Sequence, residues 1–273
     1  MTTSDDDLEP KYRMPISFGR APGPRNLPAG QRHRRYEKEL VSYTVSARTD
    51  AAALAQFLPD GLTLTGEPRL EISILSFRKI GWLAGRGYDI LMVRIPAQWT
   101  ENHEDSYGHF VPIVWENMAD PIITGREELG WPKIFAEISV SEPASEPARC
   151  SASWDGHTFF EFQASDFSDF GPPPKQLPMV FEKYVPSTSD QVGPDAHYLT
   201  VTAPDGPEPV VRTVQIGEGI FRFYGAHWEQ MPTQYPIVNA LAALPLVDFS
   251  PVVKLAATLG GDGSAQRRLV VCD

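Results

Sequence analysis

The sequence is poor in lysine, in cysteine and in long apolar runs. It carries seven lysines against seventeen arginines, and its acidic residues give a net charge of −11. Nucleic-acid binding needs a basic face that neutralises phosphates, so we expect no nucleic-acid partner. The two cysteines, Cys150 and Cys272, lack the CxxC or Cys/His spacing of structural zinc sites. We expect a cytoplasmic protein with no metal and no other cofactor.

The sequence also lacks targeting and membrane segments. Its acidic N-terminus has neither the basic nor the apolar region of a signal peptide, and no apolar run approaches the roughly 18 residues of a membrane span. We therefore expect a soluble protein without a membrane partner. Residues 1–30 are dense in glycine and proline, which predicts an extended arm, and residues 31–273 predict a single domain.

Short runs of β-branched and aromatic residues, such as "LEISILSF" at 70–77, make up most of the chain. Together with twenty-six prolines they predict an α+β fold, with a predominantly antiparallel sheet curled toward a barrel rather than a parallel doubly wound sheet. Few helices are expected: one over 51–58 behind the capping residue Asp50, a helical turn over 124–129, and one or two short helices within 235–259.

One lysine, Lys133, lies in an apolar setting within "GREELGWPKIF" at 125–135. Thr124 or Asp120 could cap a helical turn just ahead of it. An ammonium group is costly to take out of water. Such a lysine therefore either packs its stem on Trp131 and keeps its tip in water, or loses its proton and becomes a nucleophile. The pattern alone leaves both open.

The stretch "ADPIITGREELGWPKIFAEI" resembles the signature of the acetoacetate decarboxylase-like superfamily, in which a Gly-Arg-Glu element precedes an aromatic residue, a proline and the Schiff-base lysine. The spacing from Gly125 to Lys133 matches without a gap. The segments "SARTDAAALAQFLPDGLTL" and "LEISILSF" resemble the family's first strand, helix and next strand in the same order. The resemblance implies a largely antiparallel cone or barrel with helices outside it, and a homo-oligomer.

The resemblance implies that Lys133 forms an imine with a substrate carbonyl, and that Glu71 is an active-site glutamate. Ile134 occupies the position of a second lysine whose charge activates the first in decarboxylases. Gly85 aligns with a second glutamate. The family's N-terminal arginine has no clean counterpart, although three arginines lie nearby: Arg32, Arg34 and Arg35. Without the second charge, burial beside Trp131 and Ile134 is expected to favour the neutral amine.

Four residues are candidates for substrate binding: Arg126, Trp131, Arg86 and Tyr88. Arg126 could bind a carboxylate or form an ion pair with an acid such as Glu116. In "GRGYD", Arg86 and Tyr88 could contact a ligand, with Tyr88 as proton donor, or the segment could be a hairpin turn with Asp89 exposed.

Two other groups of residues are weaker candidates. His103 and His109 bracket an acidic stretch, but no second cluster completes a metal site, and a solvated loop is expected there. Lys254 is the other lysine in an apolar run, and it is expected on a helix with its tip in water.

The functional expectation is a Schiff-base-forming lyase that acts on small oxo acids. A 2-oxo acid such as pyruvate would give an enamine that adds to an aldehyde, the aldolase or hydratase-type outcome. One alternative is acetoacetate decarboxylation, in which a 3-oxo acid loses carbon dioxide. A second alternative is a protein that binds an organic acid without catalysis.

Overall fold

The computed structural model describes residues 12–18, 27–101, 104–189, 193–202, 208–261 and 265–269. The strands of this part of the chain are β1 Lys38–Arg48, β2 Thr63–Leu64, β3 Arg69–Ile80, β4 Arg86–Glu101, β5 Glu104–Glu116, β6 Lys133–Phe135, β7 Glu137–Val140, β8 Ala148–Trp154, β9 His157–Asp169, β10 Met179–Val185, β11 Ala196–Thr202, β12 Val210–Phe223, β13 Val252–Leu259 and β14 Gln266–Arg268. The helices are α1 Ala51–Ala55, α2 Ala119–Thr124 and α3 Tyr235–Ala242, with a π-helical turn over Gly125–Leu129 and 3-10 turns at Ile16–Phe18, Ala29–Tyr36 and Gly81–Leu83.

All fourteen described strands belong to one sheet. The order is β14-β11-β10-β5-β4-β3-β1-β13-β12-β9-β8-β7, with β2 paired to β4 and β6 paired to β5. Every pairing is antiparallel except those of β5 with β10 and with β6. The predominantly antiparallel sheet predicted from the sequence is confirmed.

The sheet curls strongly. Five strands separate β5 from β9 in the sheet order. Nevertheless the ring of Trp115 on β5 lies 5.0 Å from that of Phe159 on β9 and 6.2 Å from that of Phe223 on β12. A flat sheet would hold these rings tens of ångströms apart, since neighbouring strands are spaced by about 4.8 Å. The two ends, β14 and β7, are not paired with each other in the described part, so the curled sheet stays open.

The inner face of the curl carries the main core, which includes Leu54 of α1 and Val238 and Leu241 of α3. Asp50 caps α1 as predicted, because its side chain accepts a hydrogen bond from the backbone N–H of Ala53. None of the helices described is long and apolar enough to span a membrane.

The prediction for residues 235–259 is half right. Its first part is α3, but Lys254 lies on strand β13 and not on a helix. Strand β13 pairs along its length with β1 on one side and with β12 on the other. Pairing on both edges outweighs the helical preference of its alanines, because local propensity is a weak prior against tertiary context.

A smaller core lies on the opposite face of β3, β4 and β5. Its buried members are Ile90, Met92, Val111, Val114 and Phe181. Partly buried residues, among them Tyr88 and Trp131, pack around it. This second face carries the candidate site.

Candidate active site

Lys133 begins β6, a short strand that lies parallel to the end of β5, with Val114 opposite. Its side chain is 6% exposed. The Nζ atom lies 2.7 Å from Oε1 of Glu116 and donates a hydrogen bond of 3.3 Å to the carbonyl oxygen of Pro121 on α2. Of the two alternatives left open by the sequence, the structure excludes a lysine tip in bulk water.

The segment before Lys133 is a helix that changes its winding. α2 continues into the π-helical turn, which ends at Gly130 in the left-handed region at φ 76°. The expected capping by Thr124 or Asp120 is wrong, because the helix begins earlier, behind Met118. Pro121 is tolerated in the first turn, where its missing N–H has no helical partner to lose.

Trp131 and Arg126 fix the start of β6 from two sides. The Trp131 ring stacks on Phe181 at a centroid distance of 4.5 Å, and Nζ of Lys133 lies 4.9 Å from the Trp131 ring centroid. Arg126 is exposed and donates a 3.0 Å hydrogen bond to the backbone carbonyl of Lys133. Of the two alternatives for Arg126, the ion pair is not what is found: its guanidinium contacts the backbone carbonyl of Lys133 instead.

Glu116 is the main residue that the sequence analysis missed as a partner of Lys133. It is fully buried, and in the described part of the chain the contact with Lys133 is the only polar contact found for its carboxylate. Burial raises the pKa of Glu116 above its usual value, and the positive charge of Lys133 opposes that rise. A signal was present in the sequence: Glu116 ends an apolar strand and lies two residues from Val114, on the same face.

Ile134 does not shield the tip of Lys133, contrary to expectation. It pairs with Trp115 and packs against the main core, on the other face of the sheet. Successive side chains of a strand point to opposite faces, so adjacent positions cannot both lie at the lysine tip. Phe135, the next residue, is 47% exposed. The apolar neighbours of Lys133 are instead Trp131 and the small core around Val114.

Glu71 lies on the same sheet face as Lys133 but has partners of its own. Its Oε1 lies 2.5 Å from an Nη atom of Arg94 and 3.6 Å from Nε2 of His109. The strand register shows which face this is. Ser73 lies opposite Met92, Met92 opposite Val114, and Val114 opposite Lys133, so these side chains share one face of the sheet. Glu71 is two residues from Ser73 along β3 and therefore lies on the same face. Burial lowers the pKa of His109, and the charge of Arg94 lowers it further against the opposing effect of Glu71.

The "GRGYD" segment divides between the site and the surface. Tyr88 is half-buried, and burial together with the charge of Glu116 raises its pKa well above the usual value. Arg86 is exposed and donates to the carbonyl oxygen of Leu83. The alternative of an exposed Asp89 is wrong: Asp89 is buried, 2.9 Å from Arg78.

An arginine from the N-terminal arm also reaches the motif. Arg13 donates a 2.6 Å hydrogen bond to Oγ1 of Thr124 and lies 3.8 Å from Glu128 of the π-helical turn. Its side chain is only 7% exposed, whereas Met14 beside it is 79% exposed. Arg13 is not among the three arginines named from the sequence, Arg32, Arg34 and Arg35, and no spacing in the sequence indicates it.

The cavities in the described part of the chain include the following two. One, of about 190 Å³, lies between β1, β3 and β7 and includes Arg78 and Arg212, and the other, of about 300 Å³, lies between β5 and α3. Lys133 lines neither of them. No group of His, Cys, Asp or Glu side chains within the described ranges could hold a metal ion, and His103 lies outside those ranges. Lys254 donates to the carbonyl oxygen of Pro143, and its Nζ lies 5.8 Å from the Tyr43 ring centroid.

The sequence matches the family described as acetoacetate decarboxylase over residues 13–249. The chain therefore belongs to the acetoacetate decarboxylase family, as its sequence motif predicted. No curated protein sequence matches it.

Solved structures of similar fold include three enzymes. An acetoacetate decarboxylase-like enzyme from Sphingomonas wittichii RW1 is 19% identical, with 86% of this chain and 93% of that chain covered and a TM-score of 0.64. The acetoacetate decarboxylase of Legionella pneumophila is 16% identical, with 86% and 87% covered and a TM-score of 0.65. The enduracididine biosynthesis enzyme MppR, complexed with pyruvate, is 17% identical, with 86% and 91% covered and a TM-score of 0.62. At these identities the likeness concerns the fold.

Proposed function

We propose that the protein is a lyase that forms a Schiff base between Lys133 and a small 2-oxo acid such as pyruvate. The observation that carries the proposal is the buried amine of Lys133, held at the family's lysine position by a rigid turn, a stacked tryptophan and a carboxylate at 2.7 Å. A buried amine beside an acid can exchange its proton within the site, which imine formation requires.

The chemistry follows from the imine. Its protonated nitrogen withdraws electrons from the C=N carbon, so that a C–H bond of the adjacent methyl group can break, with its proton passing to a base and its electrons forming an enamine. The enamine carbon then attacks an aldehyde, the adduct can lose water, and in either case hydrolysis of the imine releases the product and frees the amine of Lys133. In the proposed site Lys133 and Glu71 are the catalytic residues, and the substrate-binding residues are Tyr88, Arg126 and Trp131. Arg86 is left out because its guanidinium bonds to the carbonyl oxygen of Leu83, whereas that of Arg126 bonds to the carbonyl oxygen of Lys133 itself.

A 2-oxo acid is preferred over acetoacetate because the second lysine of the decarboxylases is absent. Ile134 fills that position and packs into the main core, so burial and Glu116 form the immediate electrostatic setting of the amine. The fold neighbour MppR is known in complex with the condensation product of pyruvate and imidazole 4-carboxaldehyde, which supports testing pyruvate with an aldehyde.

Borohydride trapping tests the nucleophile. Incubation with pyruvate and borohydride should add one reduced pyruvate to the peptide that contains Lys133. Lys254→Ala is the matched control, since Lys254 is also a partly buried lysine near an aromatic ring. It should trap like the wild type, and Lys133→Ala should not trap. A label on Lys254, or undiminished trapping by Lys133→Ala, contradicts the assignment.

The reaction type is tested by the products. Pyruvate with an aldehyde should give a condensation product, and acetoacetate should lose carbon dioxide slowly or not at all. Release of carbon dioxide at ordinary enzymatic turnover, roughly 1 to 1,000 per second, would replace the proposal by acetoacetate decarboxylation.

Reversible binding of an organic acid is the second candidate. The observation that favours it is the ion pair itself, because an ammonium group paired with a carboxylate at 2.7 Å is not nucleophilic. Under this alternative, pyruvate would bind, as measured by calorimetry, and borohydride would give no adduct at any pH.

We also propose a homo-oligomer. The arm exposes Tyr12, Met14 and Ile16, at 57%, 79% and 64%, although Arg13 anchors it. Apolar side chains exposed together are typical of surfaces that bind another chain. Sedimentation equilibrium should give a mass above 30.3 kDa, the mass of one chain.

A further inference from the structure

The Lys133–Glu116 contact is unusual in how little else the carboxylate touches. Glu116 is fully buried, and apart from Nζ of Lys133 no donor in the described part of the chain is found for either of its oxygens. Nζ of Lys133 lies 2.7 Å from Oε1. A buried carboxylate with spare acceptor capacity is costly unless it is paired or protonated, so this pair is poised to move a proton between its two members.

We propose that Glu116 is the acid–base partner of Lys133 in imine formation. The inference rests on the proposed function and names a residue for it that the family resemblance did not supply. Glu116 takes a proton from the Lys133 ammonium to release the nucleophile, and later returns it to the departing oxygen of the substrate. Its contact with the reacting nitrogen makes it a catalytic residue, and not only a counter-ion.

The proton balance closes within the pair. The ammonium gives one proton to Glu116, and the nitrogen lone pair attacks the carbonyl carbon while the carbonyl π electrons move to oxygen. A second proton passes from nitrogen to that oxygen, which yields a carbinolamine. The Glu116 acid then protonates the hydroxyl, which leaves as water as the nitrogen lone pair forms the C=N bond. The product is an iminium ion beside the Glu116 carboxylate, with the same net charge as the starting ammonium and carboxylate.

The groups that face Glu116 favour this exchange. Lys133 approaches from β6, and Tyr88 from β4 is close enough for the Glu116 charge to raise its pKa. α2 contributes the Pro121 carbonyl to Nζ, and its one titratable residue, Asp120, is exposed. The rise in the pKa of Glu116 caused by burial agrees with a group that can hold the proton.

The test is the rate of borohydride trapping of pyruvate against pH in the wild type, Glu116→Gln and Asp89→Asn. Glutamine keeps the shape of the side chain but cannot accept or return a proton. General acid–base catalysis is typically worth about 10²- to 10⁴-fold, so Glu116→Gln should trap at least tenfold more slowly at neutral pH, with the adduct still on Lys133. The plot of its trapping rate against pH should also lack the limb that titration of Glu116 gives in the wild type.

Asp89→Asn is the matched control, because Asp89 is another buried acid, on a strand next to β5, whose partners are Arg78 and Asn117. It should keep the wild-type profile. If Glu116 only neutralised charge, Glu116→Gln would free the amine and trap as fast as the wild type or faster, which overturns the inference and leaves the proposed function standing. If the wild type forms no adduct at any pH, the proposed function fails, and this inference with it.

A second variant guards against failure of Glu116→Gln to fold. Glu116→Asp keeps a carboxylate but shortens its reach, so trapping should slow while the pH profile keeps both limbs. Loss of the acid limb in Glu116→Asp would count against the proposal, because its carboxylate still titrates.

Discussion

A β-carbon on Gly125 would lie 2.4 Å from Cδ, 2.6 Å from Cε and 3.1 Å from Nζ of Lys133. The Lys133 side chain therefore packs directly against the backbone of Gly125, the first glycine of the motif. Gly125 itself has ordinary helical φ and ψ, so conformational freedom is not the reason for glycine there. The absent side chain leaves the volume that the lysine occupies.

Gly125→Ala should displace the Lys133 side chain and separate Nζ from Glu116. Contacts under 3.0 Å are not tolerated, and the lysine stem is the flexible partner, so the fold should survive while trapping falls at least tenfold. The measurement is the trapping rate together with the circular dichroism melting curve. Gly171→Ala is the control, since a β-carbon there meets nothing within 4 Å. An unchanged trapping rate in Gly125→Ala would show that the tip position does not depend on this glycine.

Trp131 should stabilise the fold as well as the site. Trp131→Leu loses the stack on Phe181, worth about 0.5–1.5 kcal/mol beyond burial, and part of its apolar area, so the free energy of unfolding should fall by about 1–3 kcal/mol. Trp131→Phe should lose less. Trp228→Leu, at a side chain that is 62% exposed, should change stability by about 0.5 kcal/mol at most. Urea denaturation decides it, and equal losses for the Trp131 and Trp228 variants would contradict the stacking role.

His109 should make stability depend on pH in the acid direction. Its pKa is lowered in the folded protein, so below about 6.5 the unfolded chain binds the proton more readily than the folded one. The wild type should therefore lose stability relative to His109→Gln as the pH falls from 8 through 6.5 toward the lowered value, by about 1.4 kcal/mol for each unit of the shift.

The measurement for His109 is urea denaturation at several pH values. His227→Gln is the control, because His227 is exposed and the variant retains His109. Its curve should follow the wild type. A constant difference between wild type and His109→Gln across the series would mean that His109 does not titrate differently on folding.

Arg13 should hold the arm against the lysine motif. Arg13→Met removes the hydrogen bond to Thr124 and the approach to Glu128, so the backbone amides of residues 12–18 should exchange hydrogen at least tenfold faster. Arg149→Met, at an exposed arginine, is the control and should leave that exchange unchanged. Equal protection in Arg13→Met would show that the arm is held by other contacts.

The fold was largely predictable because its signals are local. Alternation at period two and frequent prolines indicate antiparallel strands, and Asp50 carries its own capping geometry. Lys254 was predicted on a helix because the alanines and leucine around it do not indicate the two strands, β1 and β12, that pair with this segment. A central strand is specified by its neighbours, which a local window does not contain.

The candidate site was predictable only in part. The Gly125 to Lys133 spacing identified the lysine, since a motif is contiguous in the sequence. Glu116, Arg13 and the opposite orientation of Ile134 depend on how β5, the arm and β6 meet in space. The position of Glu116 at the end of an apolar strand indicated a buried acid, but pairing between residues that are distant in the chain leaves no periodic signal of the partner.

The number of residues between Gly125 and Lys133 determines where the lysine falls in β6, and so which face of the sheet it lies on. Val114 lies opposite Lys133, and Trp115 lies opposite Ile134. Deleting or inserting one residue between Gly125 and Lys133 would exchange the two faces of β6 and turn the lysine into the main core. A change of two would restore the face but shift the amine by about 7 Å along the strand, out of reach of Glu116. Deletion or insertion of one or two residues between Gly125 and Lys133 should therefore abolish imine formation even when every side chain of the site is kept.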